Sequence, residues 1–249
     1  MDIALEILPR SEASLKEDSR LSKKYSAITM TNVPDMKRFD IRSWEACDIM
    51  DLASRSMVPH LRSRDFAPDA PFPLIEFFRR RGITKALVIA GDPEKGEGEK
   101  SFPGDGRGTV AFIRKLKSEM PEMEIYGAFD PYRTNIRYEL DYLAEKEAAG
   151  CAGFMSQPFF DLRLLEIYAE YLEGKRIFWG VAPVLTSGNR NYWESRNRAI
   201  FPRSFRPDIF WNVHFARQVL DFCARNSFNI YLMPIKINLE AYLSGIFSA

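Results

Sequence analysis

The chain has 249 residues, of which 46% are hydrophobic, so it can bury a large core as one domain or as two small ones. Its 35 Lys and Arg residues are balanced by 34 Asp and Glu residues, which excludes an overall positive field for nucleic acid. No apolar run approaches the roughly 20 residues that span a bilayer, and the first residues lack the basic start of a secretory signal. Three widely spaced cysteines, at 47, 151 and 223, match no zinc motif and favour free thiols in a reducing cytoplasm.

Short apolar runs alternate with amphipathic segments along the whole chain. The predicted strands are residues 3–8, 26–31, 57–61, 86–90, 125–129, 153–157, 177–181 and 229–233. The clearest predicted helices are residues 72–81, 110–120, 136–149, 162–173 and 209–226. Eight such units without a long linker favour a single α/β domain over residues 1–249, a (β/α)8 TIM barrel. Residues 186–208 are rich in Arg, Asn and Pro and predict an irregular rim or lid.

Glu6 lies among apolar neighbours in the first predicted strand. On an edge strand this position would face solvent, but a closed barrel has no edge. A carboxyl group that faces the interior loses its hydration, and its pKa rises. A raised pKa is how a general acid stays protonated near neutral pH, so Glu6 is a candidate catalytic acid.

Polar residues follow several other predicted strands. In a TIM barrel the carboxyl ends of the strands converge on one mouth, where the chemistry takes place. Each such residue alone is compatible with a helix cap or a turn, but as a set they predict a ring of hydrogen-bonding groups: Glu6, Thr29, His60, Asp92, Asp130 and Gln157. The other histidine, His214, lies within a predicted helix, so we expect His60 to be a neutral hydrogen-bonding residue and expect no catalytic metal.

Residues 88–108 contain six of the fourteen glycines. A phosphate-binding loop of the Walker type needs Gly-Lys-Ser/Thr, whereas Lys95 is followed by Gly96 and Glu97. The glycines also come too late after the strand for a dinucleotide fingerprint. The segment is therefore interpreted as a strand that ends at Gly91, followed by a glycine-rich loop in which Asp92 is the functional residue.

Several of these segments together resemble the methylenetetrahydrofolate reductase family. "LEILPR" (5–10) is similar to its "EFFPP" strand, and "GITKALVIAGDP" (82–93) to "GIRNILALRGDPP". Further similar segments, in the same order, are "AITM" (27–30), "VPHL" (58–61), "LAEKEAAG" (143–150), "SQPFFD" (156–161) and "GVAPV" (180–184).

The resemblance implies reduction of 5,10-methylenetetrahydrofolate to 5-methyltetrahydrofolate by hydride transfer from FAD, which NAD(P)H reduces. It implies that Glu6 is the general acid, that Asp92 lies near both flavin and pterin, and that Gln157 binds the pterin together with Phe159. The implied FAD-binding residues are Thr29, His60, Gly91, Asp92, Phe129, Arg133 and Lys146. The oligomeric state stays open: the chain could form a homo-oligomer or a complex with a partner protein.

The sequence also departs from that family. The arginine of "RGD" is Ala90, and the "YPE-x-HPE" segment is replaced by residues 129–135, "FDPYRTN". Pterin-side residues are therefore retained better than flavin-side ones. Two alternatives stay open: a relative that binds folate without FAD, with another hydride donor, and a non-catalytic folate-binding or complex-forming subunit.

Overall fold

The computed structural model describes residues 1–50, 56–91 and 107–248. Its strands are β1 (Ile3–Glu6), β2 (Met30–Val33), β3 (Ser56–Arg62), β4 (Lys85–Ile89), β5 (Glu124–Phe129), β6 (Cys151–Pro158), β7 (Ile177–Val181) and β8 (Asn229–Leu232). Each strand pairs in parallel with the next, and β8 pairs with β1. The predicted (β/α)8 TIM barrel is confirmed.

Helices follow the strands and form the outer layer. They are α1 (Glu12–Ser22), α2 (Ser43–Ile49), α3 (Ile75–Arg81), α4 (Arg107–Glu119), α5 (Ile136–Ala148), α6 (Leu162–Tyr171), α7 (Ser187–Asn197), α8 (Ile209–Asn226) and α9 (Leu239–Phe247). Side chains cap most of these helices, as Asn135 does for α5 and Asp208 for α8. No helix in the described ranges is long and apolar enough to cross a membrane.

Strand alternation separates two cores. One cluster fills the barrel interior and includes Ala4, Met30, Leu87, Tyr126 and Tyr231. A larger cluster lies between the strands and the helices, and its strand residues are the alternate ones, such as Leu5, Val88 and Phe154. Because successive side chains point to opposite faces, the parity of a residue in its strand decides whether it lines the barrel interior.

The second strand differs from its prediction. It begins at Met30 and ends at Val33, four residues later than the predicted start, so Thr29 precedes it. Residues 26–27 form a turn and residues 28–29 are irregular; Thr29 Oγ1 donates to Asp2 Oδ1 at 3.0 Å and accepts from the backbone N–H of Ile3. Asn32 is polar and has low strand propensity, which made the prediction end the strand too early.

The segment 186–208 is only partly irregular. Helix α7 occupies residues 187–197, and the remaining residues form neither helix nor strand. Aromatic side chains hold this segment against the barrel: Phe160 stacks on Phe201 with ring centroids 4.3 Å apart, and Phe205 packs on Trp211. These contacts form a third, smaller apolar cluster at the carboxyl end of the barrel.

Candidate functional site

Four adjacent strands bring a chain of polar groups together inside the barrel. Tyr231 on β8 donates its phenol hydrogen to Glu6 Oε2 on β1. The Asn32 side chain on β2 lies near the Tyr231 hydroxyl, and its amide nitrogen is 2.8 Å from Met155 Sδ and 3.4 Å from His60 Nε2 on β3. All four residues are buried, with exposed fractions of 7% or less. Strand pairing therefore brings a carboxyl, a phenol, an amide and an imidazole close together, with a hydrogen bond between the carboxyl and the phenol.

Burial determines the ionisation of these groups. It raises the pKa of Glu6 to about 7, although the hydrogen bond from Tyr231 acts in the opposite direction. It lowers the pKa of His60 to about 3, so the imidazole is neutral throughout the physiological range. Burial, and then the neighbouring Glu6, raise the pKa of Tyr231 well above its usual value. Of these three groups, only Glu6 titrates near neutral pH.

Glu6 lines a cavity of about 330 Å³ at the carboxyl end of the barrel. The cavity lies between α1 and the start of α9, and its other lining residues are Leu8, Arg10, Glu17, Asp18, Leu21, Pro234, Ile237, Asn238, Leu239 and Glu240. Among the described residues, Glu6 Oε1 has no hydrogen-bond partner, while Oε2 is held by Tyr231. The volume is in the range of small-molecule sites. One oxygen of a titrating carboxyl is therefore left for a ligand.

A charged rim borders the same end of the barrel beside β3. Arg42 forms ion pairs with Asp35 at 2.5 Å and with Asp65 at 2.9 Å, and Asp65 lies 3.6 Å from Arg62. The Arg62 side chain runs against Gly91, which has φ 83°, and a Cβ there would come within 2.6 Å of the guanidinium Nε. The left-handed backbone favours glycine at position 91, and any larger residue there would also have to displace the Arg62 side chain.

Some residues expected at the mouth do lie at that end. Glu6, His60 and Gln157 are at or near the carboxyl ends of β1, β3 and β6, and Gln157 is exposed. Gly91 follows β4, and Arg133 follows β5, where its Nε lies 3.5 Å from Asp130 Oδ2. Asp92 lies outside the described residues.

Four others lie elsewhere. Thr29 is at the amino end of the barrel, because β2 starts after it. Phe129 and Phe159 are fully buried among aromatic rings of the outer core. In β5 the residue that faces the barrel interior is Ala128, so the next residue, Phe129, faces the helices. Lys146 lies between α5 and β5, donates to the Ala128 carbonyl and packs 3.8 Å from the Tyr142 ring centroid. Burial lowers its pKa to about 8.

The sequence did not point to Asn32 and Tyr231 as neighbours of Glu6. Strand alternation was the available signal, because Tyr231 is the third residue of β8 and pairs with Ala4, two residues before Glu6. Asn32 pairs directly with Glu6 in the β1–β2 register. Its Oδ1 is buried without a hydrogen-bond partner among the described residues. Within that part of the chain, no group of three or more His, Cys, Asp or Glu side chains is placed to hold a metal.

Comparisons with known proteins show the fold. No family model and no curated protein matches the sequence. Among solved structures, 2,3-dimethylmalate lyase, a PEP mutase/isocitrate lyase superfamily member, has a TM-score of 0.61 at 9% identity over 95% of this chain and 75% of its own. Oxaloacetate acetylhydrolase with 3,3-difluorooxalacetate has a TM-score of 0.64 at 8% identity, over 98% and 78%. The carboxyl transferase domain of Rhizobium etli pyruvate carboxylase, with 3-hydroxypyruvate, has a TM-score of 0.52 at 10% identity, over 74% and 36%.

These findings correct the family assigned from the sequence. The methylenetetrahydrofolate reductase assignment is wrong, and so is flavin-dependent folate reduction, because the similar barrels include 2,3-dimethylmalate lyase, of the PEP mutase/isocitrate lyase superfamily, and oxaloacetate acetylhydrolase. The matching segments are strand ends and turns, such as Gly82 in the left-handed conformation after α3, which any parallel barrel needs. FAD, a tetrahydrofolate derivative and NAD(P)H as ligands stay predictions of the sequence, which no observation tests.

Proposed function

We propose that this protein is a barrel enzyme in which Glu6 transfers a proton on a small carbonyl substrate, in a lyase-type reaction that breaks or forms a carbon–carbon bond. The observation that carries the proposal is Glu6 itself, a barrel-interior carboxyl with a pKa of about 7 that lines a cavity with one oxygen unpartnered. A group with that pKa serves as base and as acid in the same cycle. The names of the similar barrels, which include a lyase and an acetylhydrolase of oxaloacetate, support the reaction class.

The proposed cleavage conserves atoms and electrons without a redox partner. The Glu6 carboxylate takes the proton of a hydroxyl group placed β to a carbonyl. The O–H electron pair forms a new carbonyl group, the carbon–carbon bond breaks, and its electron pair remains on the other fragment as an enolate. Protonated Glu6 then returns the proton to the enolate carbon, which restores the carboxylate.

The neighbouring residues suit this role. Tyr231 holds Glu6 Oε2, which leaves Oε1 as the oxygen available to a substrate. His60, which lies beside Asn32, is neutral and therefore does not compete for the proton. Leu8, Leu21 and Leu239 give the cavity an apolar part that excludes water and strengthens these interactions.

Deuterium exchange tests the proposal without knowledge of the full substrate. Pyruvate, oxaloacetate and 3-hydroxypyruvate are incubated in D2O with the protein, and loss of the proton signals next to the carbonyl is followed by NMR. We expect exchange above the buffer rate for at least one compound, and a Glu6→Gln variant slower by roughly 10²–10⁴-fold, because the amide cannot carry the proton.

The matched control is Glu12→Gln on α1, an exposed carboxylate whose nearest cation is Lys16 at 3.5 Å. This variant should exchange at the wild-type rate. The proposal fails if the wild-type protein exchanges none of the three compounds, or if Glu6→Gln exchanges as fast as wild type.

A further inference from the structure

Tyr231 occupies a central place in the barrel interior. It is 3% exposed and belongs to the interior cluster with Ala4, Leu87 and Phe178. Its hydroxyl group donates to the Glu6 carboxyl on the neighbouring strand β1, and the Asn32 side chain on β2 lies nearby. A buried phenol needs a hydrogen-bond partner, and here that partner is a titrating carboxyl.

We propose that Tyr231 is a positioning residue that holds the Glu6 carboxyl in one orientation and favours its ionised form. The geometry carries this inference, because the phenol on β8 reaches the neighbouring strand β1 and holds Oε2, while Oε1 has no hydrogen-bond partner among the described residues. Its importance for catalysis rests on the proposed function, but its effect on Glu6 does not.

The direction of the hydrogen bond follows from the chemistry of the groups. The phenol stays protonated, so towards a carboxylate it must donate. A donor to the charged form lowers the pKa of a carboxyl and so opposes the effect of burial.

The other charged groups around Glu6 are engaged with one another. On α1 and its preceding loop, Arg10 pairs with Asp18 at 2.9 Å and Arg20 with Glu17 at 2.8 Å. On α9, Glu240 pairs with Lys24 at 2.5 Å, and on β3 His60 is neutral. Within the described ranges no cation forms an ion pair with Glu6, which leaves the Tyr231 phenol as the group that stabilises its charge.

NMR titration of the Glu6 side-chain carboxyl, in protein labelled with ¹³C at glutamate, tests the inference without any activity. In Tyr231→Phe we expect the pKa of Glu6 to rise by roughly one unit, since the ring is retained and the donor is lost. The control is Tyr126→Phe, in the same interior cluster, whose hydroxyl bonds to Glu124 at the amino end of the barrel. It should leave the Glu6 titration unchanged.

A second measurement does not depend on the variant folding. In the wild-type protein the Tyr231 Cζ resonance should shift with pH at the same midpoint as Glu6, because the phenol reports the charge it donates to. An unshifted Glu6 pKa in folded Tyr231→Phe, or a Tyr231 resonance that ignores the titration, would overturn the inference. If both results agree with it while no carbonyl compound exchanges, the proposed function fails and the positioning role stands.

Discussion

Glu6 carries a cost in stability that depends on pH. Its pKa is about 7 in the folded protein and 4.5 in the unfolded chain, so the folded state binds the proton more tightly. Stability from this group is fully present below about pH 4.5 and is lost as pH rises through 7. At about 1.4 kcal/mol per unit of pKa difference, the loss is about 3 kcal/mol.

We therefore expect the unfolding free energy of Glu6→Gln, measured relative to that of wild type, to be about 3 kcal/mol higher at pH 8 than at pH 4. Urea unfolding at the two pH values measures this difference. The lowered pKa of His60 makes stability fall towards acid pH in both proteins, so it cancels in the comparison. Unfolding free energies that run parallel with pH would contradict a raised pKa at Glu6.

Single residues show how far the sequence was informative. Glu6 was identifiable because an acid among apolar residues is unusual in a strand. Tyr231 was hidden, because a tyrosine in an apolar run is typical of any core strand, and its partner is 225 positions away. Phe129 was misplaced for a related reason: aromatic character does not show which face of a strand a residue occupies.

At the level of elements, the strands were predicted but their registers were not. A shift of the second strand moved Thr29 to the amino end of the barrel and brought Asn32 beside Glu6. The β6–β7 pair also has a register shift, between Met155 and Pro158. Local propensity does not determine such registers, because they depend on pairing with strands that are distant in sequence.

Gly180 on β7 allows β6 and β7 to approach at this shift. A Cβ there would lie 2.6 Å from the Ser156 carbonyl oxygen and 2.9 Å from that of Gln157. We expect Gly180→Ala to lower the unfolding free energy by about 1–3 kcal/mol, because backbone atoms must move. Gly188→Ala in α7, where the nearest atom is 3.9 Å away, should be neutral or slightly stabilising. Thermal unfolding compares the two, and equal losses would contradict this explanation.

For the whole molecule, the alternation of strands and helices was sufficient to predict the barrel. It was not sufficient to predict the family, because parallel barrels share strand-end and turn patterns across unrelated chemistries. The segment "GITKALVIAGDP" illustrates this point: its glycines serve the end of α3 and the close approach of Arg62 to Gly91. Fold was encoded in the pattern, whereas function depends on which side chains meet inside.

At the amino end of the barrel, Arg176 links the start of β1 to the start of β5 through ion pairs. It binds Asp2 at 3.0 Å, before β1, and Glu124 at 2.5 Å, at the start of β5, where Lys85 also pairs with Glu124. We expect Arg176→Gln to lower the unfolding free energy by about 1 kcal/mol in dilute buffer, and by less in 1 M NaCl. Arg137→Gln, which removes an exposed pair with Asp141, should change it much less. Equal effects of the two substitutions, or no effect of salt, would argue against this network.

Closure of the sheet sets an order of events during synthesis. The pair of Glu6 and Tyr231 joins residues 225 positions apart, and the β1–β8 ladder lies beside it. A ribosome that adds roughly 5–20 residues per second needs about 11–45 s between these two positions. During that interval β8 has not been made, so the edge of β1 that pairs with it stays open. The polar chain around Glu6 is thus among the last features to assemble, and its formation reports that the barrel has closed.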